Sequence, residues 1–532
     1  MIRFAALVVA SKLCASFPTR LPPPSIDAYA ETNATEHFFA DAALDHFDAV
    51  SPPPSPPWKQ RFWTDDTWWC GDGCPIFLLI GNEAPASPIV PYVNLYVLAQ
   101  QHGALMVVLE HRFYGKSQPT ADLSTRNMRY LTSEQALGDV ARYLQYLLAF
   151  DPSAPDAKSS PPLALRAKTS ASKVVAFGYS YGGTLAAWAR LKYPTLIAGS
   201  IASSSPVHAQ FEFSQYMQVV EAALSNPKVG GSVTCAAALS EGAAALHALV
   251  TSTTPPGASP AIPDALRPCT PMASPDDLAQ YEGAIAYALE IAVQYNGNSE
   301  SLAAVCNGTA SVTPLDALAA AFATAVNPAM LPGPRICVPS SWEGDMMAPL
   351  KNTTAVATDT SWDSWKKEVR QWKWQKCNEF GWFHSTTGAG SALAAFTALT
   401  ATQLGPRICA EAFGLPNSTE PNTQRTNTMY GDRSIQATNV VFVHGSMDPW
   451  HALGLVNATD PFYQSCVGSG ACPAQSSSTS GRKVVFVEGT GHIQDWWAPG
   501  ENVNVREELR FPLWAYAEIA ASVASFVNAS GP

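Results

Sequence analysis

A serine stands between glycines in Gly178-Tyr179-Ser180-Tyr181-Gly182, followed by Gly183. The pattern Gly-x-Ser-x-Gly raises a serine hydroxyl at the apex of a sharp strand-to-helix turn, clear of the sheet. The flanking glycines leave room for the backbone to close that tightly. A serine hydroxyl is a poor nucleophile until a base takes its proton. Histidine can accept that proton near neutral pH and return it to a leaving group. A buried carboxylate holds the imidazole in the useful tautomer and stabilises its charged form. The sequence offers both partners: Asp448 in "HGSMDPW" and His492 in "GTGHIQDWW". A developing oxyanion needs donors already in place. The backbone N–H of Tyr181 and that of Asn82 or Glu83 are the candidates.

Each residue has a duller reading. Asp448 precedes Pro449 and could simply begin a turn. His492 could be a loop histidine, and the motif around Ser180 a glycine-rich turn. His444 and His451 are rival bases, but neither follows its own strand as His492 does. The sequence holds no His-Glu-x-x-His pattern and no zinc-spaced cysteine pairs, so neither a metal nor another cofactor is implied.

The elements around these residues support the chemical reading. Val174–Phe177 reads as a buried strand and Thr184–Leu191 as a helix, so Ser180 lies at their junction. Upstream, Ile76–Ile80 reads as a strand ending in Gly81-Asn82-Glu83. A helix-like stretch over 90–101, a strand at Ala104–Leu109 and an amphipathic helix from Thr132 follow, with Thr132 or Ser133 as its cap. Ile197–Ala202 reads as another strand. Alternating strands and helices imply a parallel sheet with right-handed crossovers. The pattern stops from about Val207 to Gly431 and returns with strands at Asn439–Val443 and Lys483–Val487, then a closing helix over about 506–526. Asp448 and His492 follow the two returning strands, at the edge where open α/β sheets build sites. The chain order Ser180, Asp448, His492 is that of α/β-hydrolases. The predicted fold class is therefore α/β, an α/β-hydrolase with a mainly parallel sheet and a helical cap. The expected division is a signal peptide at 1–16, hydrolase segments at 17–204 and 431–532, and the cap at 205–430.

Composition sets the milieu. Apolar residues make up 47% and charged residues 14% of 532 residues, a globular balance with ample core. A net charge of −11 argues against a nucleic-acid partner, which would want a basic face. The start, "MIRFAALVVASKLCASFP", resembles a secretory signal with small residues at Cys14, Ala15 and Ser16, although Lys12 departs from that pattern. Of 11 cysteines, ten remain after Cys14 is removed, an even set that reads as disulfides. Six Asn-x-Ser/Thr sequons, at Asn33, Asn307, Asn352, Asn417, Asn457 and Asn528, agree with export. The expected location is outside the cell or in a lysosomal or vacuolar lumen. No stretch after the signal reads as an uninterrupted membrane span. The sequence is compatible with a homodimer.

Several stretches resemble one family in chain order: "LDHF" with "KQRFW", "LLIGNEAPAS", "EHRFYGKS", "LTSEQALGDVARYL", "GYSYGGTLAAW", "WQKCNEFGWF", "HGSMDPWHALG" and "GTGH". It is the family of secreted and lysosomal serine peptidases that includes prolyl carboxypeptidase, dipeptidyl peptidase II and thymus-specific serine protease. The resemblance implies a capped hydrolase that cleaves short peptides, commonly next to proline, and a role for Trp450 in holding the proline ring. Core packing is the alternative reading of that tryptophan. The resemblance also suggests that Cys377 pairs with Cys409. Cys235 with Cys306 and Cys269 with Cys337 would then tie the cap, leaving Cys70 with Cys74 and Cys466 with Cys472 as local loops. Two features depart from the family: Ile493 stands where a cysteine often follows the histidine, and the cysteine expected soon after "SSSPV" is missing. A lipase or esterase would use the same three residues, and a binding module on this scaffold would need none of them.

Overall fold

The structure, a computed structural model, describes residues 33–48, 58–71, 73–148, 171–297, 301–309, 312–326, 337–354, 369–388, 390–456, 463–466, 481–499 and 510–528. The signal peptide, Asn457 and Cys472 lie outside the described residues, as does the Cys466–Cys472 pairing.

The strands are β1 (Thr35–Ala42), β2 (Trp58–Asp65), β3 (Ile76–Ile80), β4 (Leu105–Leu109), β5 (Val174–Tyr179), β6 (Gly199–Ser203), β7 (Gln210–Glu212), β8 (Gly381–Phe383), β9 (Val440–Gly445), β10 (Tyr463–Cys466) and β11 (Arg482–Val487). Nine of them form one sheet in the order β1-β2-β4-β3-β5-β6-β9-β11-β10. β1 and β2 are antiparallel at one edge, and every pairing from β4 to β10 is parallel.

The central strands are continuous apolar runs because both faces of the sheet are covered. Ile76, Leu78 and Ile80 face one core, with Leu144 of α2 (Ser133–Leu148) and Leu185 of α3 (Tyr181–Lys192). Phe77 and Leu79 alternate to the other core, with Leu98 of α1 (Asn94–His102) and Ile519 of the closing helix at Leu513–Asn528. Thr132 caps α2, its hydroxyl accepting the Gln135 N–H at 3.2 Å. This strand order, with helices on both faces, is the α/β-hydrolase fold.

Between β6 and β9 the chain is mainly helical: α4 (Gln215–Leu224), α5 (Val233–Thr251), α6 (Pro275–Gln294), α7 (Pro314–Ala325), α8 (Val369–Gln375), α9 (Ile408–Phe413) and α10 (Thr423–Tyr430). α6 begins with a reciprocal capping box between Ser274 and Asp277, and Pro275 occupies its first turn. A short parallel pair, β7 with β8, adds a strand element that the Ala-rich text did not signal. Disulfides join Cys235 to Cys306, Cys269 to Cys337, Cys377 to Cys409 and Cys70 to Cys74. Among the described residues, α5 is the one helix long and apolar enough to cross a membrane by length and composition. It carries Glu241, its His247 lies 2.5 Å from Glu282 of α6, and Cys235 ties it to Cys306.

Candidate active site

Ser180 caps α3 immediately after β5, with φ 57° and ψ −129°. A non-glycine residue there is strained by roughly 1–3 kcal/mol and persists only where its surroundings enforce it. Its N–H donates to the Ser203 carbonyl of β6 at 2.9 Å, and its carbonyl accepts the Thr184 N–H at 3.1 Å. The glycines are needed for space. A Cβ on Gly178 would come within 1.9 Å of the Gly182 carbonyl oxygen, and one on Gly183 within 2.6 Å of the Ser203 carbonyl oxygen.

Tyr181 opens α3, so its N–H belongs to the first-turn donors that find no acceptor within a helix. The loop after β3 packs against this corner. A Cβ on Gly182 would lie 2.9 Å from the Ile80 carbonyl oxygen and 3.8 Å from the Asn82 nitrogen. Burial pushes the Glu83 carboxyl up, with the His492 imidazole pulling against that shift. The side chain of Tyr181 serves a different purpose. Its phenol lies 3.1 Å from His111 Nε2 and accepts the Gln375 amide at 2.8 Å. Gln375 closes α8, so this bond joins Tyr181 to the helical segment between β6 and β9.

Asp448 and His492 lie in the loops after β9 and β11, and the structure brings them together. His492 Nδ1 is 2.9 Å from Asp448 Oδ2, with both side chains buried. Asp448 Oδ1 accepts the Trp450 N–H at 3.0 Å. Burial alone would raise the Asp448 carboxyl; His492 and the Trp450 N–H outweigh it and hold the group below the ordinary carboxylate range. The turn after His492 is pinned by the Ile493 N–H donating to Ser204 Oγ at 2.8 Å.

The rival histidines have other surroundings. His444 is buried, neither ring nitrogen has a hydrogen-bond partner among the described residues, and burial drives its pKa down to about 3. His451 Nδ1 lies 2.6 Å from the Asp448 carbonyl oxygen, so that nitrogen serves the turn.

Trp450 is half-buried in an aromatic cluster. Its ring centroid lies 5.5 Å from Phe213 and Trp382, 5.9 Å from Tyr216 and 5.2 Å from His384. Its indole N–H donates to Gln294 Oε1 at 3.1 Å. The residues around Trp450 were not singled out as site residues from the sequence. Only "WQKCNEFGWF" lay near them as a motif; Phe213, Tyr216 and Gln294 had no signal.

Residues 42–472 match the serine carboxypeptidase S28 family. The chain belongs to the S28 family. It is a serine-type peptidase. The mouse (Mus musculus) thymus-specific serine protease is 33% identical over 408 residues, covering 74% of this chain and 74% of that protein. Its human (Homo sapiens) counterpart is 33% identical over 414 residues, covering 75% and 74%. Human lysosomal Pro-X carboxypeptidase, another protein similar to this S28 chain, is 34% identical over 197 residues, covering 36% and 35%.

Proposed function

We propose that the protein is a serine exopeptidase that cleaves short peptides next to proline through Ser180, Asp448 and His492. The observation that carries this reading is the buried Asp448–His492 pair, 2.9 Å apart, in loops after two strands of the sheet that sets Ser180 at its elbow. In this reading His492 takes the Ser180 proton as Oγ bonds to the scissile carbonyl carbon. The oxyanion is received by the N–H of Tyr181 and that of Asn82 or Glu83. The C–N bond then breaks, and the leaving amine takes the proton from His492. Water, deprotonated by His492, splits the acyl ester, and Ser180 regains its proton. The Trp450 cluster supplies flat apolar faces suited to a pyrrolidine ring. Residues 205–430 act as the cap that admits peptide ends.

Export is part of the same proposal. The described disulfides suit an oxidising lumen or a secreted protein. Asn33, Asn307, Asn352, Asn417 and Asn528 are exposed, as glycan acceptors must be.

The test is a fluorophosphonate probe on the mature protein, read by peptide mapping, beside turnover of N-blocked proline peptides. Labelling confined to Ser180 and lost in Ser180→Ala is expected, with activity lower by several orders of magnitude. Labelling that persists in Ser180→Ala, or turnover of lipid esters with no peptide cleavage, overturns the reading.

A further inference from the structure

Two lysines in the cap have no use in the chemistry above. Lys373 and Lys376 are three residues apart where α8 runs into a wider turn, Lys376–Phe380. That spacing puts them on one face as neighbouring like charges, which repel. Lys376 is only 9% exposed. Neither ammonium has a carboxylate within ion-pair distance among the described residues. Lys376 Nζ lies 5.3 Å from the centroid of the Phe383 ring. Glu290, the nearby acid, is engaged by His384, whose Nδ1 lies 3.0 Å from it. Burial pulls Lys373 down to about 8 and Lys376 well below its usual value. Charging Lys376 here is costly, since no carboxylate among the described residues pairs with it directly and Glu290 offers only longer-range attraction, and a bound anion would offset that cost.

The segment that carries the pair borders the candidate site. Gln375, between the lysines, bonds to the phenol of Tyr181, the residue after the nucleophile. His384, next to Phe383, packs on Trp450 with ring centroids 5.2 Å apart. Both lysine charges act on the His384 imidazole and push against its protonation, so the pair lies beside the aromatic cluster, while the helix that carries them reaches Tyr181 through Gln375.

Resting on the peptidase reading, we infer that Lys373 and Lys376 form the seat for a substrate carboxylate, so that the enzyme selects peptides by a negative charge beside the scissile bond. A free C-terminal carboxylate and an acidic side chain share this chemistry.

The test compares kcat/KM for N-blocked Pro-Phe as the free acid, N-blocked Pro-Phe amide, and N-blocked Pro-Asp amide. The free acid is expected to exceed the Pro-Phe amide by at least about 10-fold, the scale of a charge-assisted contact to a desolvated group. In Lys376→Met and Lys373→Met that ratio should fall toward one, mainly through KM, and Lys376→Arg should restore much of it. Fluorophosphonate labelling of each variant at the wild-type rate shows that the elbow is intact. Binding of the free acid to Ser180→Ala, followed by tryptophan fluorescence, should weaken at least about 10-fold when Lys376→Met is added. Lysine-dependent turnover of the Pro-Asp amide equal to that of the free acid keeps the seat but assigns it to a side chain. An unchanged acid-to-amide ratio in both Met variants overturns the seat while labelling leaves the peptidase reading standing. Preferred turnover of dipeptide amides with a free amino end, unaffected by either lysine, also overturns it.

Discussion

The carbonyl oxygen of Gln294 accepts the backbone N–H of His492 at 2.7 Å. The side chain of Gln294 accepts the Trp450 indole N–H at 3.1 Å and the Tyr216 hydroxyl at 2.5 Å. One residue at the end of α6 thus holds the loop of the candidate base and the aromatic cluster beside it. The Tyr295 ring adds an edge contact to His492, 5.6 Å between centroids. The helical segment between β6 and β9 thus forms one wall of the candidate site.

Replacing Gln294 by Leu keeps the backbone bond to His492 but leaves an indole N–H and a phenol without their acceptor. Each orphaned group costs about 1–3 kcal/mol where water cannot reach it. We expect kcat/KM for a proline peptide to fall at least about 10-fold, with fluorophosphonate labelling of Ser180 retained. Unchanged kinetics would show that the cluster does not depend on this amide.

Asp448→Asn keeps the size of the side chain and removes its charge. The amide can no longer stabilise the imidazolium, and it favours the wrong imidazole tautomer. A loss of about 10⁴-fold in kcat is expected, with near-wild-type secondary structure by circular dichroism. A loss below about 10-fold would remove Asp448 from the proposed triad.

Much of the hydrolase frame was legible because its signals are local. Val174–Tyr179 and Val440–Gly445 are apolar runs that end in chemistry-bearing turns, so strand and site residue were read together. β1 and β2 were not read as strands. "TEHFFADA" lies at an antiparallel edge, where its burial is uneven, and it adjoins a polar, proline-rich stretch. Helix starts were read slightly off for the same local reason. The sequence marks the turn at Ser180, yet the backbone is already helical at Tyr181. The aromatic cluster was not legible beyond Trp450. Phe213 and Tyr216, Gln294, and His384 come from three separate stretches and meet only through tertiary packing, which no periodicity encodes.

The Cys377–Cys409 disulfide joins the turn after α8 to α9 and closes a separation of 32 residues. Removing that constraint restores loop-closure entropy to the unfolded chain, about 3–4 kcal/mol in the chain-entropy account. Cys377→Ser with Cys409→Ser should therefore lower the urea midpoint of the mature protein. Non-reducing peptide mapping of the wild type should find these two cysteines in one linked fragment. A free thiol at Cys377 would contradict the pairing.

Asp495, three residues past His492, is buried and accepts the hydroxyl of Ser203 at the end of β6. Burial pushes its carboxyl up to about 7, against the opposing pull of Ser203, its own backbone N–H and His492. An unfolded aspartate titrates near 3.9. Between about pH 4 and 7 the folded chain holds a proton that the unfolded chain has released, so this group makes stability fall as pH rises through that window. Below the window both states are protonated and the effect vanishes. Asp495→Asn mimics the neutral acid and should remove this part of the slope. Urea unfolding at pH 4.5, 5.5, 6.5 and 7.5 measures it, with the variant gaining on the wild type as pH rises. Parallel profiles for the two proteins would mean that Asp495 is already ionised when folded, and that the Ser203 hydroxyl suffices to hold its charge.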